Sequence, residues 1–274
     1  MSDAVETPAH SPAAPAEALV LRRGRGASCE PRDLIRENLI VIRILDGGQF
    51  SLMATPGDEE ALALGFLLAE GWIDGVDDVA EVEVCPGGDS VKVRLREGRI
   101  RNTATEPQRS LVLHPSCGLC GREDAVPYLA ALAPVPGGEP FPLEALWGIA
   151  DRLRDAQRLF RETGGSHATG LFGRDGRLLV VAEDIGRHAA FDKMAGSAMK
   201  RRLGTAGLGA VLSGRSSLEM VAKAVRARLA LLVAVGAPSD AGVALAERLG
   251  LGLAGFARGD TLTVYADRHR FAGA

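Results

Sequence analysis

Cys117 and Cys120 stand three positions apart in the stretch Ser116-Cys117-Gly118-Leu119-Cys120-Gly121, with His114 and Pro115 just upstream. Glycine beside each cysteine removes side-chain bulk, so the backbone can bend sharply and a large partner can reach the sulfurs. Thiols at this spacing serve disulfide exchange, metal ligation or a reactive thiolate. Zinc wants four ligands, and His114, Cys117 and Cys120 supply three. Cys29, in a Ser-Cys-Glu-Pro loop, and Cys85, at the end of a strand, have no second ligand beside them and read as incidental. A thioredoxin-like redox pair usually opens the first helix of a βαβ unit, whereas this pair follows a β-rich stretch and precedes a connector. Two buried thiols acting as small hydrophobes fit poorly with polar and glycine neighbours. These points weigh against the zinc, redox and buried-thiol readings without removing them.

A second set of candidates lies at strand-to-helix junctions further along the chain: Thr163-Gly164-Gly165-Ser166-His167, Glu183-Asp184-Ile185-Gly186-Arg187-His188 and Ser213-Gly214-Arg215-Ser216-Ser217. In the last, a glycine after a strand lets the chain turn and a serine at the helix start leaves backbone N–H groups pointing outward. Arg215 beside them can grip a phosphate, so the loop is a candidate anion site. The plainer reading is a capped helix whose arginine pairs with a carboxylate. Glu183, Asp184 and His188 suit acid/base or ribose-binding chemistry, but taken alone they read better as a helix cap and a partly buried histidine.

The elements that must position these groups divide the chain. Residues 1–18 are rich in Pro, Ala and acidic side chains and read as a disordered leader, with no basic start and apolar core of a secretory signal. Residues 19–113 read as a β-rich α+β unit. In it Leu39–Leu45 and Gln49–Thr55 pair across Asp46-Gly47-Gly48, Asp58–Glu70 forms a helix capped by Asp58, and Val79–Val84 pairs with Val91–Arg96. Residues 114–141 hold the CxxC loop and a connector, APVPGGEPFP. From residue 142 a helix over Leu143–Glu162 leads into alternating strands and helices, the pattern of a three-layer α/β/α domain. Strands are expected at His167–Phe172, Leu178–Ala182, Leu208–Leu212, Leu229–Val235, Gly252–Ala257 and Leu262–Tyr265. Helices are expected at Arg187–Leu203, Ser216–Arg228 and Ala241–Leu249.

Composition narrows the class. The 274 residues carry a net charge of −3, which gives no bulk attraction to nucleic acid or an anionic membrane. The longest apolar run, Leu229 to Ala237, is too short to span a bilayer. Four cysteines without an export signal point to reduced thiols in the cytoplasm.

The segments LMATPGDEEALALGFLLAEGWI, SCGLCG, TGGSHATGLF, EDIGRHAAFDKMAG, SGRSSLEMVAKA and GLAGFARGDTLTVY, in this order over residues 34 to 266, resemble the formate dehydrogenase accessory sulfurtransferases, the FdhD/NarQ family. The resemblance implies a homodimeric sulfur carrier with a cytidine-deaminase-like α/β/α second half. It would accept persulfide sulfur from a cysteine desulfurase and pass it to the molybdenum (or tungsten) bis-molybdopterin guanine dinucleotide destined for the catalytic subunit of formate dehydrogenase. Cys117 matches the persulfide-forming cysteine and Cys120 its partner. Phe256, Ala257, Arg258, Gly259, Asp260 and Thr261 match the segment assigned to the pterin cofactor. Ser213, Gly214, Arg215 and His188 are added as candidate phosphate contacts, with GDP as a partial mimic of the client. Ala189 stands where the family often has Asn after Gly186-Arg187-His188. A zinc deaminase would show an HxE and a PCxxC inside the α/β domain, and neither occurs there. The competing readings are a cofactor-binding chaperone without sulfur chemistry and a zinc or redox CxxC protein.

Overall fold

The structure, a computed structural model, describes residues 11–45, 47–97, 111–113 and 125–273. Cys117, Cys120, His114 and the surrounding loop lie outside the described residues.

The chain enters through an antiparallel ribbon of β1 (Ala13–Arg22) and β2 (Gly26–Ile35), paired from Ala13↔Ile35 to Arg22↔Gly26. The leader expected over residues 1–18 therefore gives way to a strand at Ala13. Pro15 and Pro31 are compatible with these strands because a two-stranded ribbon has free edges where a missing N–H costs nothing. Gly24 and Gly26 adopt positive φ to turn it. One face carries Leu19 and Leu21, 63% and 74% exposed, while the other bears the Arg22–Glu30–Arg32 ion pairs.

Next comes a five-stranded sheet in the order β5-β6-β3-β4-β7, built from β3 (Asn38–Ile44), β4 (Gln49–Ala54), β5 (Val79–Val84), β6 (Ser90–Leu95) and β7 (Leu111–Leu113). Both expected hairpins form, β3 with β4 and β5 with β6. Between them α1 (Glu59–Glu70) buries ten of its residues. Asp58 precedes it with φ 59° and makes no side-chain cap bond. Instead the Glu59 carboxylate accepts from the Gly57 N–H at 2.6 Å.

After α2 (Ala125–Ala130) and the short β8 (Phe141–Pro142), the helix expected over Leu143–Glu162 is broken into α3 (Leu143–Leu146), α4 (Ile149–Ala156) and α5 (Arg158–Thr163). Gly148, at φ 66°, makes the first break, and Gln157, at ψ 91°, makes the second. Apolar periodicity hid the break at Gly148, because Leu146 of α3 and Ile149 and Leu153 of α4 join the same core.

The second sheet has six strands in the order β10-β9-β11-β12-β13-β14: β9 (His167–Phe172), β10 (Leu178–Asp184), β11 (Gly209–Leu212), β12 (Leu231–Ala234), β13 (Gly252–Arg258) and β14 (Thr261–Ala266). Its three central strands are parallel and the others antiparallel to their neighbours. The helices α6 (Arg187–Lys200), α7 (Leu218–Arg226) and α8 (Asp240–Leu249) follow β10, β11 and β12. Alternation along the strands feeds two cores. Ala210, Leu212, Leu232 and Ala234 join α6, α7 and α8, whereas Val211, Leu231 and Val233 join Leu146, Ile149 and Leu153 of α3 and α4. The first core runs on without a break into Ile40, Ile42, Leu62 and Phe66 of the five-stranded unit. The chain closes with β15 (Phe271–Ala272), which pairs with β8.

The two sheets are joined mainly through α1 and α6, which cross at a pair of glycines. A Cβ placed on Gly65 would stand 1.8 Å from the Asp192 carbonyl oxygen, and one on Gly196 would stand 1.8 Å from that of Ala61. Arg226 of α7 adds bonds to the carbonyls of Leu68 and Ile73 at the far end of α1, at 3.0 and 2.8 Å.

Candidate functional site

The parallel strands β11, β12 and β13 end along one edge of the six-stranded sheet, where open α/β sheets offer ligands a crevice. Just beyond each strand end, or within its last turns, lies a glycine. The Gly236 N–H donates to the Gly214 carbonyl at 3.0 Å, and the Phe256 N–H donates to the Gly236 carbonyl at 3.2 Å. A Cβ on Gly236 would meet Arg215 at 3.0 Å, and one on Gly255 would meet the Gly236 oxygen at 3.0 Å. Gly214, Gly236 and Gly255 thus let three adjacent strand ends pack without side chains between them: the space a Cβ would take at Gly236 and Gly255 is filled by neighbouring protein, and Gly255 is buried.

Polar and cationic side chains stand beside these glycines. Ser213 bonds through its hydroxyl to the Ala168 N–H at 2.9 Å and lies 3.4 Å from Nδ1 of His167. Arg215 is exposed beside Gly236. Burial pushes the His167 imidazole below its ordinary pKa, and the electrostatic influence of Arg187, His188 and Arg215 acts the same way against Asp184. Among the described residues, the buried Oγ atoms of Ser216 and Ser217 and Nε of Arg187 have no hydrogen-bond partner. Ser217 caps α7 by position only, without a side-chain bond to it. Free donors, a helix start and excess positive charge together favour an anion.

The structure brings Ser213, Gly214, Arg215 and Phe256 together through Gly236, and it places His188 within electrostatic reach of His167. Phe256 has a left-handed backbone, φ 53°, at the bulge where β13 slips against β14, and its ring is 43% exposed. A non-glycine residue held this way costs about 1–3 kcal/mol, which the surrounding structure must offset. The rest of that segment diverges. Ala257 is buried in the core on the α4 side, so its side chain does not face the edge. Arg258, Asp260 and Thr261 are exposed. Gly259 is tied to the start of α4, accepting from the Gly148 N–H at 2.7 Å and donating to Asp151 at 3.2 Å.

Glu183 and Asp184 have structural roles. The Glu183 carboxylate takes the N–H groups of Leu159 and Phe160 and the hydroxyl of Ser166 at 2.7 to 2.9 Å, which caps α5. Asp184, fully buried, accepts from the Gly186 N–H at 2.9 Å and pairs with Lys193 at 2.8 Å. A second buried pair, Asp192 with Lys223, closes at 2.6 and 2.7 Å. Burial raises both aspartate carboxyls, and the ammonium partners act against it. His188 Nε2 meets Glu219 of α7 at 2.7 Å. Sequence reasoning missed Gly236, Gly255, Lys193 and Lys223. A signal for Gly236 existed in the likeness of Val235-Gly236-Ala237-Pro238-Ser239 to Leu212-Ser213-Gly214-Arg215-Ser216-Ser217, each a strand, a glycine and a serine cap.

No group of three or more His, Cys, Asp and Glu side chains suited to a metal occurs among the described residues. No helix among them is long and apolar enough to cross a membrane. Cys29 is exposed on β2 and Cys85 is partly buried beyond β5, each a free thiol.

The model of the FdhD/NarQ family matches residues 35–272. The chain belongs to the FdhD/NarQ family. This FdhD/NarQ protein is 40% identical over 268 residues to the sulfur carrier protein FdhD of Streptomyces avermitilis, spanning 92% of this chain and 94% of the relative. It is 39% identical over 287 residues to the sulfur carrier protein FdhD of Anaeromyxobacter dehalogenans, spanning 97% and 98%. A crystal structure from Desulfotalea psychrophila, of a candidate formate dehydrogenase accessory protein, superposes with a TM-score of 0.76 at 25% identity and covers 95% of this chain and all of that one.

Proposed function

We propose that this FdhD/NarQ protein is a sulfurtransferase that carries sulfur as a persulfide on Cys117 and delivers it to a molybdenum or tungsten bis-molybdopterin guanine dinucleotide bound at the edge where β11, β12 and β13 end. The observation that carries the reading is similarity near 40% over almost the whole chain to proteins named sulfur carriers, in a chain that keeps two cysteines in CxxC spacing. The strand-end edge supports the client assignment, because a guanine dinucleotide presents phosphates that the exposed Arg215 and the start of α7 can meet.

The donor is a cysteine desulfurase. The Cys117 thiolate attacks the outer sulfur of the donor's persulfide, the donor's S–S bond breaks, and its cysteine leaves as a thiolate. One S–S bond is lost and one gained, so no oxidant is consumed. For delivery, the Cys120 thiolate attacks the inner sulfur and expels the outer one as hydrosulfide to the client. This closes a Cys117–Cys120 disulfide that a cellular thiol then reduces. Arg187, His188 and Arg215 hold the client's phosphates. In this reading the protein works in the cytoplasm as a homodimer and serves the catalytic subunit of formate dehydrogenase. The α/β/α half is of the cytidine-deaminase type, and the unit over residues 19–113 is joined to it by the CxxC loop and connector.

Incubation with a cysteine desulfurase and cysteine is expected to add one sulfur to the tryptic peptide containing Cys117, read by mass spectrometry. Cys117→Ala is expected to abolish formate dehydrogenase maturation in cells. Full maturation by that variant would overturn the sulfur-transfer reading in favour of a chaperone that presents the cofactor without chemistry of its own.

A further inference from the structure

We infer that Thr55, which lies just past β4 in the β-rich half, is a positioning residue for the ligand-facing start of α6. The inference rests on the reading that this edge binds the guanosine diphosphate end of the client. Thr55 is 1% exposed and gives all three of its polar atoms to one distant segment. Its N–H donates to Asp184 Oδ2 at 3.0 Å, its hydroxyl oxygen accepts from the Ile185 N–H at 3.0 Å, and its carbonyl accepts from Lys193 Nζ at 2.6 Å. Lys193 and Asp184 are themselves paired, and Asp184 reaches on to the Gly186 N–H. The backbone from Asp184 to Gly186 is therefore pinned largely from outside its own sheet. The next two residues are Arg187 and His188.

The fold does not depend on this contact to bring the two halves together. The α1–α6 crossing already does so through the close approach at Gly65 and Gly196 and through a shared apolar core. What Thr55 adds is direction. A buried hydrogen bond in low dielectric is strong and angle-dependent, and an N–H left without its acceptor there pulls the backbone toward another partner. Binding groups have to be held within about 0.5 Å of their working positions. A shift of the Ile185 backbone passes directly to the first turn of α6, and so to Arg187 and to the His188–Glu219 pair.

The test compares Thr55→Val, which keeps the shape and removes the hydroxyl, with Thr55→Ser, which keeps the hydroxyl and removes the methyl group. GDP affinity is measured by calorimetry, the His188 ring and the Ile185 and Gly186 amides by NMR, and stability by thermal unfolding. Thr55→Val is expected to weaken GDP binding about tenfold through misplacement of Arg187 and His188, and to move the His188 ring signals. Thr55→Ser is expected to match wild type within about twofold. A Thr55→Val protein that melts earlier yet binds GDP normally, with unmoved His188 signals, would reduce Thr55 to a structural residue and overturn the inference. If wild type itself binds no GDP, the ligand reading fails, and the NMR signals alone still decide whether Thr55 sets the loop. Should Thr55→Val not fold, Thr55→Ala against Thr55→Ser isolates the same hydroxyl.

Discussion

Replacing Gly196 by alanine puts a methyl group where the α1 and α6 backbones touch. The new Cβ would sit 1.8 Å from the Ala61 carbonyl oxygen, whereas ordinary contact begins near 3.4 Å. Neither atom is on a flexible side chain, so the helices must separate by roughly 1.5 Å, and a gap of that size forfeits most of the dispersion contact across it. Leu62, Phe66, Met194 and Ala198 lie in the core that would loosen. Overpacking against a rigid neighbour costs about 1–3 kcal/mol, and the lost packing adds to it, for a gross cost of about 3–5 kcal/mol. Alanine in a helix interior returns about 1 kcal/mol of propensity over glycine. The net expectation is a loss of about 2–4 kcal/mol, which is a large part of a typical domain's stability. Urea unfolding measures it directly, as a lower midpoint at unchanged slope. Gly204, exposed and with nothing within 4 Å of a built Cβ, is the control and is expected to tolerate alanine. If Gly196→Ala were as stable as wild type, the propensity gain would have outweighed the contact, and the crossing described here would be wrong.

Arg215→Ala is expected to weaken GDP binding by about 1.5–3 kcal/mol, a tenfold to hundredfold loss in a calorimetric titration, through one charge-assisted contact. Unchanged affinity would remove Arg215 from the site. Cys29→Ser and Cys85→Ser are expected to leave formate dehydrogenase maturation near wild type, in contrast to Cys117→Ala; a strong defect in either would show that the sulfur path includes a thiol outside the CxxC. His167 has a folded pKa below its ordinary value of 6.5, so below that pH the unfolded chain takes up a proton that the folded protein refuses. Stability is therefore expected to fall as pH drops from 6.5 toward the depressed folded value. Asp184 and Asp192, with raised values, slope the other way, so the comparison is with His167→Gln over about pH 5 to 7.5. An identical slope in that variant would refute the assignment.

The hairpins β3–β4 and β5–β6 were legible because alternating apolar residues flank glycine-rich turns, and β9, β11 and β12 of the second sheet because their apolar runs are buried on both faces. The β1–β2 ribbon was not. Its Ala- and Pro-rich strands bury little, so the composition of Ala13–Ala18 reads as a leader even though the backbone is paired. The break at Gly148 was hidden by an apolar stripe that continues through it. At the candidate site, Ser213, Gly214 and Arg215 announced themselves by a glycine and serine at a strand end. The close packing at Gly236 and Gly255 did not, because those contacts form only when β11, β12 and β13 lie side by side. Thr55 carries no local signal at all, since its three partners are 129 to 138 positions away.

That separation bears on how the protein is made. Ribosomes add about 5–20 residues per second, so α1 is outside the exit tunnel for on the order of ten seconds before α6 follows it. During that interval a helix in which ten residues are destined for burial has no helical partner, and the Thr55 carbonyl has no ammonium to bind. The β-rich half completes its core only when the second half arrives. A translational pause placed between α1 and α6 lengthens the time for which that apolar surface stays exposed to aggregation.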